Sequence, residues 1–291
     1  MSDETTQTCW LGRIRLRSDR RSQAVRVWTT GGAPQDQDRY EIILDPFDDE
    51  LWPERLGDVW SRMHSEEAVL ERRGGDLESV ELLAPVRPGK VLCVGRNYRA
   101  HAAELGNEVP SEPLMFHKPS SAVVGTGAAI EIPRGFDRVD MESELVAVIG
   151  KRGRNIAAAD GLKHVAGYSL GNDVSNRDLQ RGDKLWTRGK GFDTFAPLGP
   201  WVRLTTPGFA LPPEAEVRGS LDGELRQHAP ISAMVFDIPT VIAFISACMT
   251  LEPGDVIYTG TPEGVSALAP GQRVSIELSG FDLGQLSNPT Q

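Results

Sequence analysis

The stretch Glu144-Leu145-Val146-Ala147-Val148-Ile149-Gly150 is a short apolar run, rich in β-branched residues and closed by glycine, which predicts a strand. Runs of the same kind surround it at residues 90–95 (KVLCVG), 121–125 (SAVVG), 256–260 (VIYTG) and 273–278 (RVSIEL). Leu221-Asp222-Gly223-Glu224 carries the Asp-Gly pair of a tight hairpin. Helical signals are few. One covers residues 98–105, with Gly106 as its stop. The other covers residues 238–250, where Asp237 is the N-cap, Pro239 sits in the first turn, and Val241, Ile242, Ile245 and Cys248 form one stripe. Strands that do not alternate regularly with helices disfavour a doubly wound or barrel fold and predict a β-rich α+β domain.

Ahead of these strands, Ala84-Pro85-Val86-Arg87-Pro88-Gly89 reads as a rigid linker, because each proline fixes φ and restricts its predecessor. The boundary is placed there, giving a small accessory domain at residues 1–84 and a larger domain at residues 85–291. In the first part, residues 10–17 and 23–28 have the alternation of strands, separated by the polar residues 18–22. Residues 58–73 fit one amphipathic helix that stops at Gly74-Gly75.

The chain has 291 residues, 31 basic and 41 acidic, for a formal charge of −10. That balance argues against nucleic acid or an anionic membrane surface as partner, since both demand a basic face. No apolar run approaches the roughly 20 residues of a membrane span. The N-terminal residues lack the basic and apolar regions of a signal peptide, so a cytoplasmic location is expected. The three cysteines (Cys9, Cys93 and Cys248) lie far apart and form neither a disulfide framework nor a thiolate zinc motif.

Glu142 and Glu144 are separated by one residue where the strand begins, so both carboxylates project from one face. Two like charges that close raise each other's pKa unless a cation sits between them. Asp173, at the end of another apolar segment, is placed to supply a third oxygen, and three carboxylates suit Mg²⁺ or Mn²⁺ better than zinc. Taken alone, such a pair more often marks a solvated face. Gly167-Tyr168-Ser169-Leu170-Gly171 matches a nucleophile elbow, but the following Asn172-Asp173-Val174-Ser175 is a poor helix start. A serine hydrolase built on Ser169 is therefore disfavoured, and a strand flanked by glycines is the simpler reading.

A series of motifs extends the carboxylate reading: residues 90–104 (KVLCVGRNYRAHAAE), 116–119 (FHKP), 140–145 (DMESEL), 166–168 (AGY), 172–180 (NDVSNRDLQ), 186–195 (WTRGKGFDTF), 197–201 (PLGPW) and 253–265 (PGDVIYTGTPEGV). In this order and at these spacings they resemble the fumarylacetoacetate hydrolase family over roughly residues 82–288. The resemblance implies a mixed β-roll catalytic domain behind a small N-terminal domain. It implies Glu142, Glu144 and Asp173 as ligands of one Mg²⁺ or Mn²⁺ per subunit, and His101 with Glu104 as an acid–base dyad. It implies Lys190 as a group that stabilises a developing enolate, Gln180 and Thr261 as substrate contacts, and a homodimer. Lys118 is left between a structural salt bridge and a substrate contact.

Fumarylacetoacetate hydrolases proper carry a further metal-binding aspartate seven residues before the histidine, where this chain has Val94. Met141 and Ser266 also depart from the usual aromatic and glycine. The resemblance therefore runs to the shorter acylpyruvase, oxaloacetate decarboxylase and oxo-diacid isomerase members. It implies an enzyme of 2,4-dioxo acids that hydrolyses a C–C bond through an enolate stabilised at the metal. Decarboxylation, isomerisation or hydration of a 2-oxo dicarboxylic acid on the same site is the alternative, and a catalytically silent metal-binding protein the remote one. Residues 97–112 are expected to close over the bound oxo acid.

Overall fold

A computed structural model describes residues 7–16, 21–53, 56–73, 77 and 80–291. Twelve strands form one sheet, and ten of them run in the spatial order Val69–Arg73, Tyr40–Ile43, Ser22–Thr29, Thr8–Leu16, Ala196–Leu204, Val165–Asn172, Ser143–Ile149, Val256–Tyr258, Val91–Gly95 and Leu114–Lys118. Val80–Leu83 pairs with Thr8–Leu16, and Val123–Val124 runs parallel to Ala196–Leu204. Most neighbours are antiparallel, but Val256–Tyr258 and Val91–Gly95 are parallel, so the sheet is mixed. A four-stranded sheet (Glu224–Pro230, Glu216–Leu221, Arg273–Ser279, Leu286–Pro289) and a three-stranded one (Ser175–Asn176, Val139–Met141, Ser266–Ala267) complete a β-rich α+β fold.

Every residue of Ser143–Ile149 is buried. Leu145, Ala147 and Ile149 enter one apolar cluster while Val146 and Val148 enter another, because successive strand residues point to opposite faces. A strand covered on both faces reads as a continuous apolar run, which is why this segment was legible. The helix Ile238–Cys248 begins as expected, with the Asp237 side chain accepting a hydrogen bond from the Thr240 N–H at 2.9 Å. At the hairpin, Asp222 and Gly223 both take positive φ, 53° and 82°, which Gly adopts without strain and Asp tolerates. Among the described residues no helix is long and apolar enough to cross a membrane.

The helix expected at residues 58–73 is a correction. Helical turns cover only Val59–Met63, a 3₁₀ turn follows at Glu66–Ala68, and Val69–Arg73 is a strand paired with Tyr40–Ile43. The Ser65 side chain accepts from the Glu67 N–H and starts a new turn, interrupting the helix. Strand pairing at the sheet edge then outweighs helical periodicity. The proposed stop at Gly74-Gly75 and most of the polar segment 18–22 lie outside the described residues. At residues 121–125 only Val123–Val124 is a strand, preceded by a 3₁₀ turn. The sheet runs without a break across residue 84, since Thr8–Leu16 pairs with Ala196–Leu204.

Candidate active site

Three carboxylates meet where strands end. Glu142 sits at the break between Val139–Met141 and Ser143–Ile149, as the chain passes from the small sheet to the large one. Asp173 follows the last residue of Val165–Asn172, the antiparallel neighbour of Ser143–Ile149. The Asp173 N–H donates to the Glu142 carbonyl at 2.9 Å, and the Glu142 N–H donates to the Asn172 side-chain oxygen at 2.9 Å. These bonds tie the two strand ends together. Oxygens of Glu142, Glu144 and Asp173 consequently lie within 4.8 Å of one another, all three residues at most 3% exposed.

Their counter-charges are unevenly shared. Lys190 Nζ donates to Glu142 at 2.7 Å and to Asp173 at 2.6 Å. Arg177 reaches Glu142 at 2.6 Å, Asp140 at 2.8 Å and the Gln180 side-chain oxygen at 2.7 Å. Lys118 pairs with Asp173 and donates to the Val174 carbonyl. Glu144 accepts only the Gly260 N–H, at 2.7 Å, and among the described residues no side-chain cation forms an ion pair with it. Burial, the largest influence on Glu142, works to raise its pKa, but Lys190 and Arg177 together outweigh it and hold the group below the usual carboxylate range. Burial, then Asp173 and Glu142, push Glu144 well above that range. Burial opposes the charge on Lys190, yet Asp173 and Glu142 keep its pKa raised.

A divalent cation fits this arrangement. Glu144 is a buried carboxylate short of positive charge, and the oxygen-only donor set is that of a hard ion such as Mg²⁺ or Mn²⁺. The three carboxylates line a cavity of about 350 Å³ together with His101, Gln180, Lys190 and Thr261. Of the eight residues to which the resemblance assigns a site role, all except Glu104 therefore line one space. Glu104 stands behind it: its Oε2 lies 3.4 Å from His101 Nδ1, and its Oε1 accepts the Gly264 N–H at 3.0 Å. The helix carrying the pair, Arg99–Glu104, follows directly on the strand Val91–Gly95 and its turn.

One expectation takes a different form, and one disfavoured reading is set aside. Thr261 Oγ1 donates to the Ser143 carbonyl at 3.0 Å and accepts from Gln227 Nε2 at 2.8 Å, so its hydroxyl proton is already committed. Ser169 is buried in Val165–Asn172 and donates to the Trp201 carbonyl at 2.8 Å, which removes it as a nucleophile. Sequence reading also missed a partner. Arg177 lies within a quoted motif, but nothing in its spacing reveals that it bridges Asp140, Glu142 and Gln180.

Comparison with known proteins gives a consistent pattern. The family model described as fumarylacetoacetate (FAA) hydrolase C-terminal matches residues 90–291. The oxaloacetate tautomerase fahd2, mitochondrial, of Xenopus laevis is 39% identical over 250 residues, 82% of this chain and 76% of that protein. The crystal structure of 5-carboxymethyl-2-hydroxymuconate delta-isomerase from Mycobacterium smegmatis is similar at a TM-score of 0.77 and 36% identity, covering 97% of this chain and 98% of that one. Fumarylpyruvate hydrolase from Pseudomonas aeruginosa, solved with Mn²⁺ and pyruvate, is similar at a TM-score of 0.64 and 36% identity, covering 72% of this chain and 91% of that one.

Proposed function

We propose that this chain, which belongs to the fumarylacetoacetate hydrolase family, is a Mg²⁺- or Mn²⁺-dependent enzyme that hydrolyses the C3–C4 bond of 2,4-dioxo acids. The observation that carries the reading is the buried triad Glu142, Glu144 and Asp173 lining one cavity with His101. Glu142, Glu144 and Asp173 would hold the ion, which would supply positive charge to offset the negative charge that develops on the substrate.

The chain's own groups do the rest. Glu104 fixes the His101 ring through Nδ1, leaving Nε2 as the nitrogen that takes a proton from water. The resulting hydroxide adds to C4. The C3–C4 bond then breaks, its electron pair passes to C3 as an enolate, and the proton held by His101 returns to C3. The products are a carboxylic acid and a 2-oxo acid. Lys190 keeps a buried ammonium beside the developing negative charge. Arg177 engages the Gln180 side-chain oxygen, which leaves the Gln180 amide N–H groups to donate to substrate.

A second reading is supported by the tautomerase and isomerase among the similar proteins. Here His101 moves the C3 proton of a 2-oxo dicarboxylic acid without adding water. The test is turnover with Mn²⁺ on acetylpyruvate and oxaloacetate. Hydrolysis predicts acetate and pyruvate from acetylpyruvate. Keto–enol exchange of oxaloacetate with no cleavage of acetylpyruvate would replace the first reading by the second, and no turnover of either would overturn both.

A further inference from the structure

The cations lining the cavity differ in one respect. Arg138, Arg177, Arg181 and Lys190 each pair with a carboxylate of the chain. Arg96 also lines the cavity, but among the described residues no carboxylate pairs with it, and its Nε is buried without a hydrogen-bond partner. Its guanidinium rests 5.8 Å from the centroid of the Trp186 ring. Trp186 gives that charge a cation–π seat without neutralising it.

The backbone at Arg96 is also unusual. Its φ is +56°, a left-handed conformation that costs a non-glycine residue free energy and persists only where neighbours impose it. Here the next residue does so. Asn97 is fully buried, donates to the Phe236 and Thr259 carbonyls at 2.9 and 2.7 Å, and accepts from the Phe236 N–H at 2.8 Å. The residue after Thr259 is Gly260, whose N–H holds Glu144. Gly260 allows this approach, since a Cβ there would lie 2.6 Å from the Asn97 Cβ. The Arg96 backbone is thus fixed relative to the carboxylate triad through two consecutive residues of another segment.

A cavity with three carboxylates in one cluster and an unpaired guanidinium elsewhere suits a ligand that is anionic in two places. Resting on the reading of the site above, we propose that Arg96 binds a second carboxylate of the substrate. The site then selects 2-oxo dicarboxylic acids over monocarboxylic ones of equal length. Guanidinium matches a carboxylate with two parallel N–H···O bonds, which an ammonium cannot reproduce.

The test is calorimetric binding to the Mn²⁺-loaded enzyme of two matched pairs, 2-oxoglutarate against 2-oxopentanoate and oxaloacetate against 2-oxobutyrate. In each pair a terminal carboxylate is replaced by a methyl group. We expect the dicarboxylate of at least one pair to bind about 10- to 100-fold more tightly, the scale of a charge-assisted contact. Arg96→Asn tolerates the left-handed backbone and should erase that preference, leaving Mn²⁺ affinity and monocarboxylate binding unchanged; Arg96→Lys should retain part of it. No preference in either wild-type pair, or a preference that survives Arg96→Asn, would overturn the proposal. So would equal weakening of both members of a pair. If Arg96→Asn does not fold, Arg96→Gln is judged by the same criteria. Binding needs no turnover, so an enzyme that turns over neither acetylpyruvate nor oxaloacetate yet discriminates these pairs through Arg96 would refute the proposed reaction and leave this inference standing.

Discussion

The carboxylates and the histidine are held by two different kinds of structure. Glu142, Glu144 and Asp173 cap strands that have neighbours on both sides, and Ser143–Ile149 and Val165–Asn172 are buried throughout. His101 and Glu104 ride on a six-residue helix with only His101 and Ala102 buried. A helix that short is not stable alone, so it depends on contacts such as those of Asn97 and of Glu104 with Gly264. Charge-holding groups are built into the core, and the proton-handling group is attached to it. The two should therefore fail separately.

The largest expected separation is at Glu144. Glu144→Gln should weaken Mn²⁺ binding by more than about 100-fold, beyond the usual cost of losing a supporting group, and remove turnover. The metal-free variant should melt no lower than wild type, because a buried carboxyl whose ionisation Asp173 and Glu142 oppose has been replaced by a neutral side chain of the same shape. Calorimetric titration and thermal melts check both halves. Wild-type Mn²⁺ affinity in the variant would break the comparison.

Next comes His101. His101→Ala should lower kcat by roughly 10²- to 10⁴-fold, the scale of a lost general base. Its Mn²⁺ affinity should stay within about twofold, since the imidazole is not in the ligand set. If the variant instead lost the metal while the rate per bound ion stayed unchanged, His101 would be a ligand and the division between the two regions would disappear.

A smaller effect follows from pH. The folded-state pKa of Glu144 lies above its ordinary value of 4.5, so its neutral form is favoured in the folded, metal-free protein. Its contribution to stability is complete below that ordinary value and is lost as pH rises through the raised one. Metal binding needs the ionised form, so Mn²⁺ affinity should fall on acidification from a higher pH than a normal carboxylate would cause. Melting of metal-free protein and Mn²⁺ titration across pH 4–8 should show these opposite trends; parallel trends would contradict the assignment.

The smallest effect is one of mobility. Adding Mn²⁺ and pyruvate should slow hydrogen exchange at residues 97–112 while leaving Ser143–Ile149 unchanged, as a closing segment over a fixed floor requires. Equal slowing in both would mean the site is assembled as one unit.

What sequence made legible follows the same division. Glu142 and Glu144 are two residues apart, so strand geometry alone puts them side by side. His101 and Glu104 are three apart, and helix geometry does the same. The cation web was not legible, because Lys190 and Arg177 lie 48 and 35 residues from Glu142 and only folding joins them. Arg96 was hidden for another reason: its isolation is a property of the finished cavity. The segment 58–73 misled because periodicity cannot see a sheet edge waiting at Tyr40–Ile43.

Metal dependence is the central claim, and it is tested most directly by stripping the enzyme with EDTA, removing the chelate and measuring 2-oxo acid turnover alongside elemental analysis. Turnover should vanish with the ion and return on adding Mn²⁺ or Mg²⁺ in proportion to the metal bound, up to one ion per chain. Undiminished turnover by protein shown to contain no metal would contradict it.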